Sequence, residues 1–118
     1  MTISNFEELK VWQESIDLAS FCYRTLKDCR DYSFKDQLCR AVVSISNNIA
    51  EGFARQGDKE FKQFLYIAKG SCAEVRSMSF LAKDLGYISV EQYDIIQEKT
   101  LLITKMLSKL ITYLRNSK

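Results

Sequence analysis

Apolar residues recur along this chain at steps of three and four, the spacing that gathers side chains on one helical face. Leu9, Trp12, Ile16, Ala19, Tyr23 and Leu26 form the first such row. They predict a helix over about 6–28, ended by the polar stretch Cys29-Arg30-Asp31-Tyr32. Ser33 with Asp36 reads as a capping box, in which the hydroxyl accepts from an orphan backbone amide. A second helix is expected over about 34–55, with Leu38, Val42, Ile45, Ile49 and Phe53 as its apolar row and Arg55-Gln56-Gly57 as its end.

Asp58 is the expected cap of a third helix over about 59–85. Two neighbouring rows run along it: Phe61, Leu65, Ala68, Cys72, Val75, Ser79 and Ala82, and beside them Phe64, Ile67, Ser71, Met78, Leu81 and Leu85. Gly86 stands where a left-handed residue closes a helix. Ser89 and Gln92 make a second capping box before a fourth helix over about 90–116. Its rows are Ile96, Thr100, Ile103, Leu107, Leu110 and Leu114, with Ile95, Leu102, Met106 and Tyr113 adjacent. Acids Glu91, Asp94 and Glu98 near its start and Lys105, Lys109, Arg115 and Lys118 near its end suit the helix dipole. Short connections favour antiparallel neighbours, so the 118 residues are expected to form one domain, an all-α, up-down-up-down four-helix bundle.

The third and fourth helices carry more apolar arc than a lone bundle needs. Either the core uses the whole arc, or part of it meets other copies of the chain, since large exposed apolar patches mark interfaces. The second alternative predicts a homo-oligomer.

Composition narrows the chemistry. The sequence has 47% hydrophobic and 27% charged residues, no proline, four glycines and no histidine. Absence of histidine removes the commonest general base and metal ligand. Glu51, Glu60, Glu74 and Glu98 remain as oxygen ligands but share no common spacing, so neither a catalytic site nor a metal or other cofactor is expected. Cys22, Cys29, Cys39 and Cys72 form no C-x-x-C pair and read as free thiols behaving as small hydrophobes, which implies a reducing compartment. With no signal-peptide pattern at Met1–Lys10 and no apolar run of about 18 residues, a cytoplasmic protein without membrane contact is expected.

Two polar patterns invite a functional reading. On the second helix Arg40, Ser44, Asn47 and Glu51 share one face. This stripe is either solvated or a polar network at a subunit contact, with Arg40 and Glu51 pairing within or between chains. The small residues Cys39, Val43, Ser46 and Ala50 beside it are expected to admit another helix closely. On the third helix Lys62, Lys69, Arg76 and Lys83 recur every seven residues, with Tyr66, Ala73 and Phe80 between them. Phosphates bind such charges through counterion release, and bases stack on such rings. Net charge is only +2, but residues 59–118 hold ten basic and six acidic groups, against seven and nine in residues 1–58. The row is either a solvated face or a surface for RNA or DNA.

Gln37 to Gly52 (QLCRAVVSISNNIAEG) resembles the signature of a bacterial family of four-helix bundles encoded by intervening sequences within 23S ribosomal RNA genes. The segments at Phe6–Gln13, Lys59–Ser71 and Leu81–Ser89 extend the resemblance over nearly the whole chain. Where the family often has a proline in an Ile-Pro-Ala-Asn or Ile-Pro-Ser-Asn motif, this chain has Ser46, so no proline kink of the second helix follows. The resemblance implies a left-handed antiparallel bundle assembled as a ring-like homopentamer, which multiplies the charge of +2 into a continuous basic band. It also implies a link to the accessory variability determinant of diversity-generating retroelements, a pentamer that binds nucleic acid and associates with a reverse transcriptase. No catalytic residue comes with it. The matching positions for nucleic-acid contact are Arg40, Arg55, Lys62 and Lys69.

Overall fold

The computed structural model describes residues 3–116. A single 3-10 turn, Phe6–Glu8, precedes four helices: α1 Lys10–Thr25, α2 Tyr32–Ala54, α3 Asp58–Asp84 and α4 Val90–Asn116. There is no strand among the described residues. Each helix packs on its neighbours in the order α1, α2, α3, α4 and α4 closes on α1, giving a rod of 48 × 20 × 20 Å. The expected antiparallel four-helix bundle is what the chain forms.

Each helix end has a local cause. Leu9 is extended (φ −73°, ψ 122°) and buried, which bends the chain and splits the expected first helix into a 3-10 turn and a later α1. Gln13 Nε2 ties the two together by donating to the Glu7 carbonyl at 2.8 Å. The cap of α2 is Asp31, whose Oδ1 accepts from the Phe34 amide at 3.2 Å, and not the expected Ser33, which lies inside the first turn. Asp58 is likewise the first residue of α3; the extended Gly57 precedes it, with no side-chain cap. The box at the start of α4 forms as expected: Ser89 Oγ accepts from the Gln92 amide at 3.0 Å and Gln92 Oε1 accepts from the Ser89 amide at 2.8 Å. Gly86 takes φ 76°, and the Tyr87 amide reaches back to the Ala82 carbonyl at 2.8 Å, the hydrogen-bond pattern of a glycine-closed helix.

The core is one cluster running the length of the rod, centred on Leu18, Leu38, Ile45, Ile49, Leu65, Ile96, Ile103 and Leu107, all fully buried. The fully buried Ser15 and Thr100 hydroxyls bond to their own helix, Ser15 Oγ to the Val11 carbonyl at 2.7 Å and Thr100 Oγ1 to the Ile96 carbonyl at 2.9 Å, so burial leaves them no unmet hydrogen bond. The α2–α3 seam is tight at Gly52. A Cβ there meets Phe64 Cβ at 2.7 Å and Phe61 Cδ1 at 3.0 Å. Further along the seam, Ser44 and Ser71 share a hydrogen bond of 2.9 Å. The close approach therefore uses Ser44, Gly52 and Ser71, on the flank of α2 that faces α3. No proline interrupts α2, and it runs unbroken.

At one end of the rod the α1–α2 and α3–α4 connections are latched together. Tyr87 Oη donates to Asp31 Oδ2 at 2.7 Å, and the Phe34 and Tyr87 rings meet edge-on at 5.3 Å. The Tyr87 hydroxyl, and after it the Phe34 amide, hold the Asp31 carboxyl below its ordinary value; the same bond raises Tyr87.

Two predictions follow from this packing. Gly52→Ala is expected to destabilise by about 1–2 kcal/mol, because overpacking costs about 1–3 kcal/mol and outweighs the helix propensity gained. Gly70→Ala, with open space around its Cα, is expected to stabilise by about 0.5–1 kcal/mol, and urea unfolding of both variants checks the opposite signs. The second concerns acid. Because the folded pKa of Asp31 is depressed, its contribution is present above the ordinary carboxylate value and is lost as pH falls through the lowered one. Thermal melts across an acid series should show a shallower acid loss in Asp31→Asn than in the parent, with Tyr87→Phe between them.

Candidate nucleic-acid interface

The seven-residue spacing of Lys62, Lys69, Arg76 and Lys83 places them on one flank of α3, in rungs of about 10 Å. That flank faces α4. The rings between the cations do not turn into the core: Tyr66 is 48% exposed and Phe80 52%. The Lys69 ammonium lies 6.0 Å from the Tyr66 ring, and the Lys83 ammonium lies 4.6 Å from Phe80 and 4.2 Å from Tyr93. Cations over ring faces are attracted by the ring quadrupole, which holds these long side chains along the row.

α4 completes the surface with residues that α3 alone does not announce. Arg76 Nε donates to Gln97 Oε1 at 3.4 Å, while Gln97 Nε2 donates to the Arg76 carbonyl at 3.2 Å and to Ser79 Oγ at 2.8 Å. Arg115 Nη2 donates to the Tyr66 hydroxyl at 2.8 Å, adding a fifth cation. Tyr93 packs edge-on to Phe80 at 6.0 Å. Tyr93, Gln97 and Arg115 were not singled out for this surface from the sequence. Two of them were in reach, because Tyr93 and Gln97 stand as far after the turn at Gly86–Tyr87 as Phe80 and Arg76 stand before it. An antiparallel hairpin pairs such positions.

Both ion pairs among the described residues use Arg55, which meets Glu51 at 3.0 Å and Glu60 at 3.9 Å. The four cations of the α3 row are therefore not neutralised by any described carboxylate. Arg55, by contrast, lies past the end of α2, between two carboxylates and 5.0 Å from the Phe64 ring, on the α2–α3 flank. Arg40 is exposed on that same flank, in a groove of about 650 Å³ lined by Ser33, Asp36, Gln37, Ala41, Ser44 and Glu74. The fold thus gathers four of the six candidate cations and separates Arg40 and Arg55 from them.

The polar stripe of α2 divides in the same way. Ser44 is drawn into the α2–α3 seam, bonded to Ser71 and accepting from Asn48 Nδ2 at 2.9 Å. Arg40, Asn47 and Glu51 remain exposed. Glu51 pairs with Arg55 and not with Arg40, which stands three turns away along the helix, so of the two alternatives for this stripe a pairing of Arg40 with Glu51 within the chain does not form.

Other chemistry is sparse. Burial pushes the Cys22 thiol up to about 12 and the Cys72 thiol up to about 11, and it raises Cys39 as well, which keeps these sulfurs protonated and unreactive. All four cysteines are free thiols. No group of three or more cysteines and carboxylates among the described residues is placed to hold a metal ion. No described helix is long and apolar enough to cross a membrane.

Two apolar strips lie exposed on separate flanks. Ile67, Leu81 and Leu85 run along α3 on the side of α2; Ile95, Leu102 and Tyr113 run along α4 on the side of α1. Of the two wide arcs in the sequence, one row on each helix enters the core and much of the other stays outside it.

Comparison with known proteins adds the following. Residues 7–109 match the family model described as 23S rRNA-intervening sequence protein. Among solved structures, the chain is similar to a protein of unknown function from the S23 ribosomal protein family of Bacteroides thetaiotaomicron VPI-5482. The TM-score is 0.80 and the identity 28%, over 86% of this chain and 97% of that one. No curated protein matches.

Proposed function

This chain belongs to the 23S rRNA-intervening sequence protein family, and we propose that it is a non-enzymatic, homo-oligomeric helical scaffold whose α3–α4 flank contacts RNA or DNA. The observation that carries this reading is the row Lys62, Lys69, Arg76 and Lys83. Its charges are unneutralised, and exposed rings alternate with them. Such a surface binds phosphates with little regard to sequence, since backbone contacts carry no base information.

Assembly strengthens the surface. The apolar strips on α3 and on α4 occupy different flanks, so a contact that joins one to the other is head-to-tail, and such contacts generate rings where the rotation closes. A ring of five copies is the assembly proposed. The same strips favour a second reading, an oligomer that binds only protein, in which the basic row serves solubility.

Fluorescence anisotropy with labelled RNA and DNA across a salt series separates the two. Nucleic-acid contact through the row predicts that log affinity falls with log salt at a slope of about −3, and that replacing all four row cations by Gln removes most of that slope. Binding that is unchanged in the quadruple variant, or absent, contradicts the reading. Light scattering should give about five times the 13.7 kDa chain mass at micromolar concentration, reduced in Ile67→Asp and in Leu102→Asp. A monomer mass in the parent protein contradicts the assembly.

A further inference from the structure

Between Arg76 and the paired rings of Phe80 and Tyr93 the α3–α4 flank opens into a groove of about 320 Å³, lined also by Ala73, Ser77 and Gln97. This is the small end of the range for ligand clefts, roughly 300–1,000 Å³. We infer that this groove is a stacking site for one unpaired base of a single-stranded nucleic acid, with Phe80 as the platform. The inference rests on the nucleic-acid reading above and narrows it to single strands.

The groove has the shape and chemistry for a flat ring. Phe80 is half exposed although it lies on the flank facing α4, so one of its surfaces remains open. Tyr93 braces it edge-on, and the Lys83 ammonium sits over the ring without lining the groove, so the face for a base is the one turned to the groove. Ser77 and Ala73, one and two turns earlier, are small and line the groove beside the ring. No acidic side chain lines the groove. Base stacking on an aromatic side chain is sequence-tolerant, because every base has a π-face.

Gln97 explains why base identity should matter little. Its amide oxygen accepts from Arg76 and its amide nitrogen donates to Arg76 and Ser79. Both ends are engaged within the protein, so Gln97 is not free to read a base edge, and the rings supply the main contact. Charge sets the direction of the strand. Exposed Asp84 and Asp94 stand toward the loop end, whereas Arg76, Lys69 and Lys62 run the other way along α3. A strand whose base rests on Phe80 is therefore led along the lysine row toward Arg115. A duplex has its base faces occupied by neighbouring pairs and gains only the phosphate contacts.

The test uses the full-length protein and four fluorescein-labelled probes: single-stranded DNA, single-stranded RNA of the same sequence, the blunt DNA duplex, and a DNA strand of abasic sites with its phosphates intact. Both natural single strands should bind about tenfold more tightly than the duplex and the abasic strand, consistent with the contribution of one stacked base. Phe80→Leu should lower affinity for the natural single strands about tenfold, toward that for the duplex and the abasic strand, while Phe80→Trp should retain the parent's advantage. Abasic or duplex probes that bind as tightly as natural single strands, or a Phe80→Leu variant that binds like the parent, overturn the stacking site. Salt-dependent binding in that case still upholds the basic row. An RNA strand that binds while the matching DNA strand does not also overturns the site, since a ring stacks on either. Absence of salt-dependent binding to every probe overturns both the site and the reading beneath it.

Discussion

The register between α3 and α4 is the constraint on which the rest of this structure depends. Gly86 adopts a left-handed φ of 76°, the Tyr87 amide returns to the Ala82 carbonyl, and the Ser89–Gln92 box starts α4 three residues after the glycine. Such a short, doubly fixed connection leaves little freedom in how α4 runs back along α3. Phe80 must meet Tyr93, and Arg76 must meet Gln97. A slip of one helical position carries Tyr93 and Gln97 off this flank and breaks the row of cations and rings into unrelated side chains.

The second organising feature is the division of apolar surface. One row on each long helix fills the core, where the fully buried Ser15 and Thr100 hydroxyls bond to their own helices. The α2–α3 seam is drawn close by Gly52 and by the Ser44–Ser71 bond, while the outer α3 positions Ile67, Leu81 and Leu85 stay about half exposed. Exposed rows of this kind are costly in water unless covered. Those outer positions supply the surface for the proposed assembly, and the basic flank on the opposite side of α3 stays clear of that contact.

Much of the fold is legible in the sequence because its signals are local. The Gly86 stop and the Ser89–Gln92 box each act within a few residues and appear where expected, as do the main rows of α2 and α3. The row expected for the first helix does not, since α1 buries Val11, Ser15, Leu18, Ala19 and Cys22 and leaves Ile16 36% and Tyr23 49% exposed. The misses are also local, but decided by tertiary demands. Asp31 and not Ser33 caps α2, since Asp31 can serve the Phe34 amide and the Tyr87 hydroxyl together across two loops. Leu9 breaks the first helix by taking an extended backbone while its side chain joins the core. Of the candidate site, the seven-residue row on α3 is visible in one dimension. The Glu51–Arg55 pair is an i,i+4 spacing visible in the sequence, whereas the shares of Tyr93, Gln97 and Arg115 need the hairpin register and the contact of Arg55 with Glu60 depends on how the α2–α3 corner turns. Spacing along one helix cannot report either.

The central claim is that nucleic acid lies along the α3–α4 flank. Ultraviolet cross-linking of a short RNA to the intact protein, followed by mass spectrometry of the joined peptides, tests it without any substitution. The account predicts adducts on the segments containing Tyr66, Phe80 and Tyr93. Adducts confined to the Arg40 or Arg55 segments, on the other flank of the bundle, contradict it.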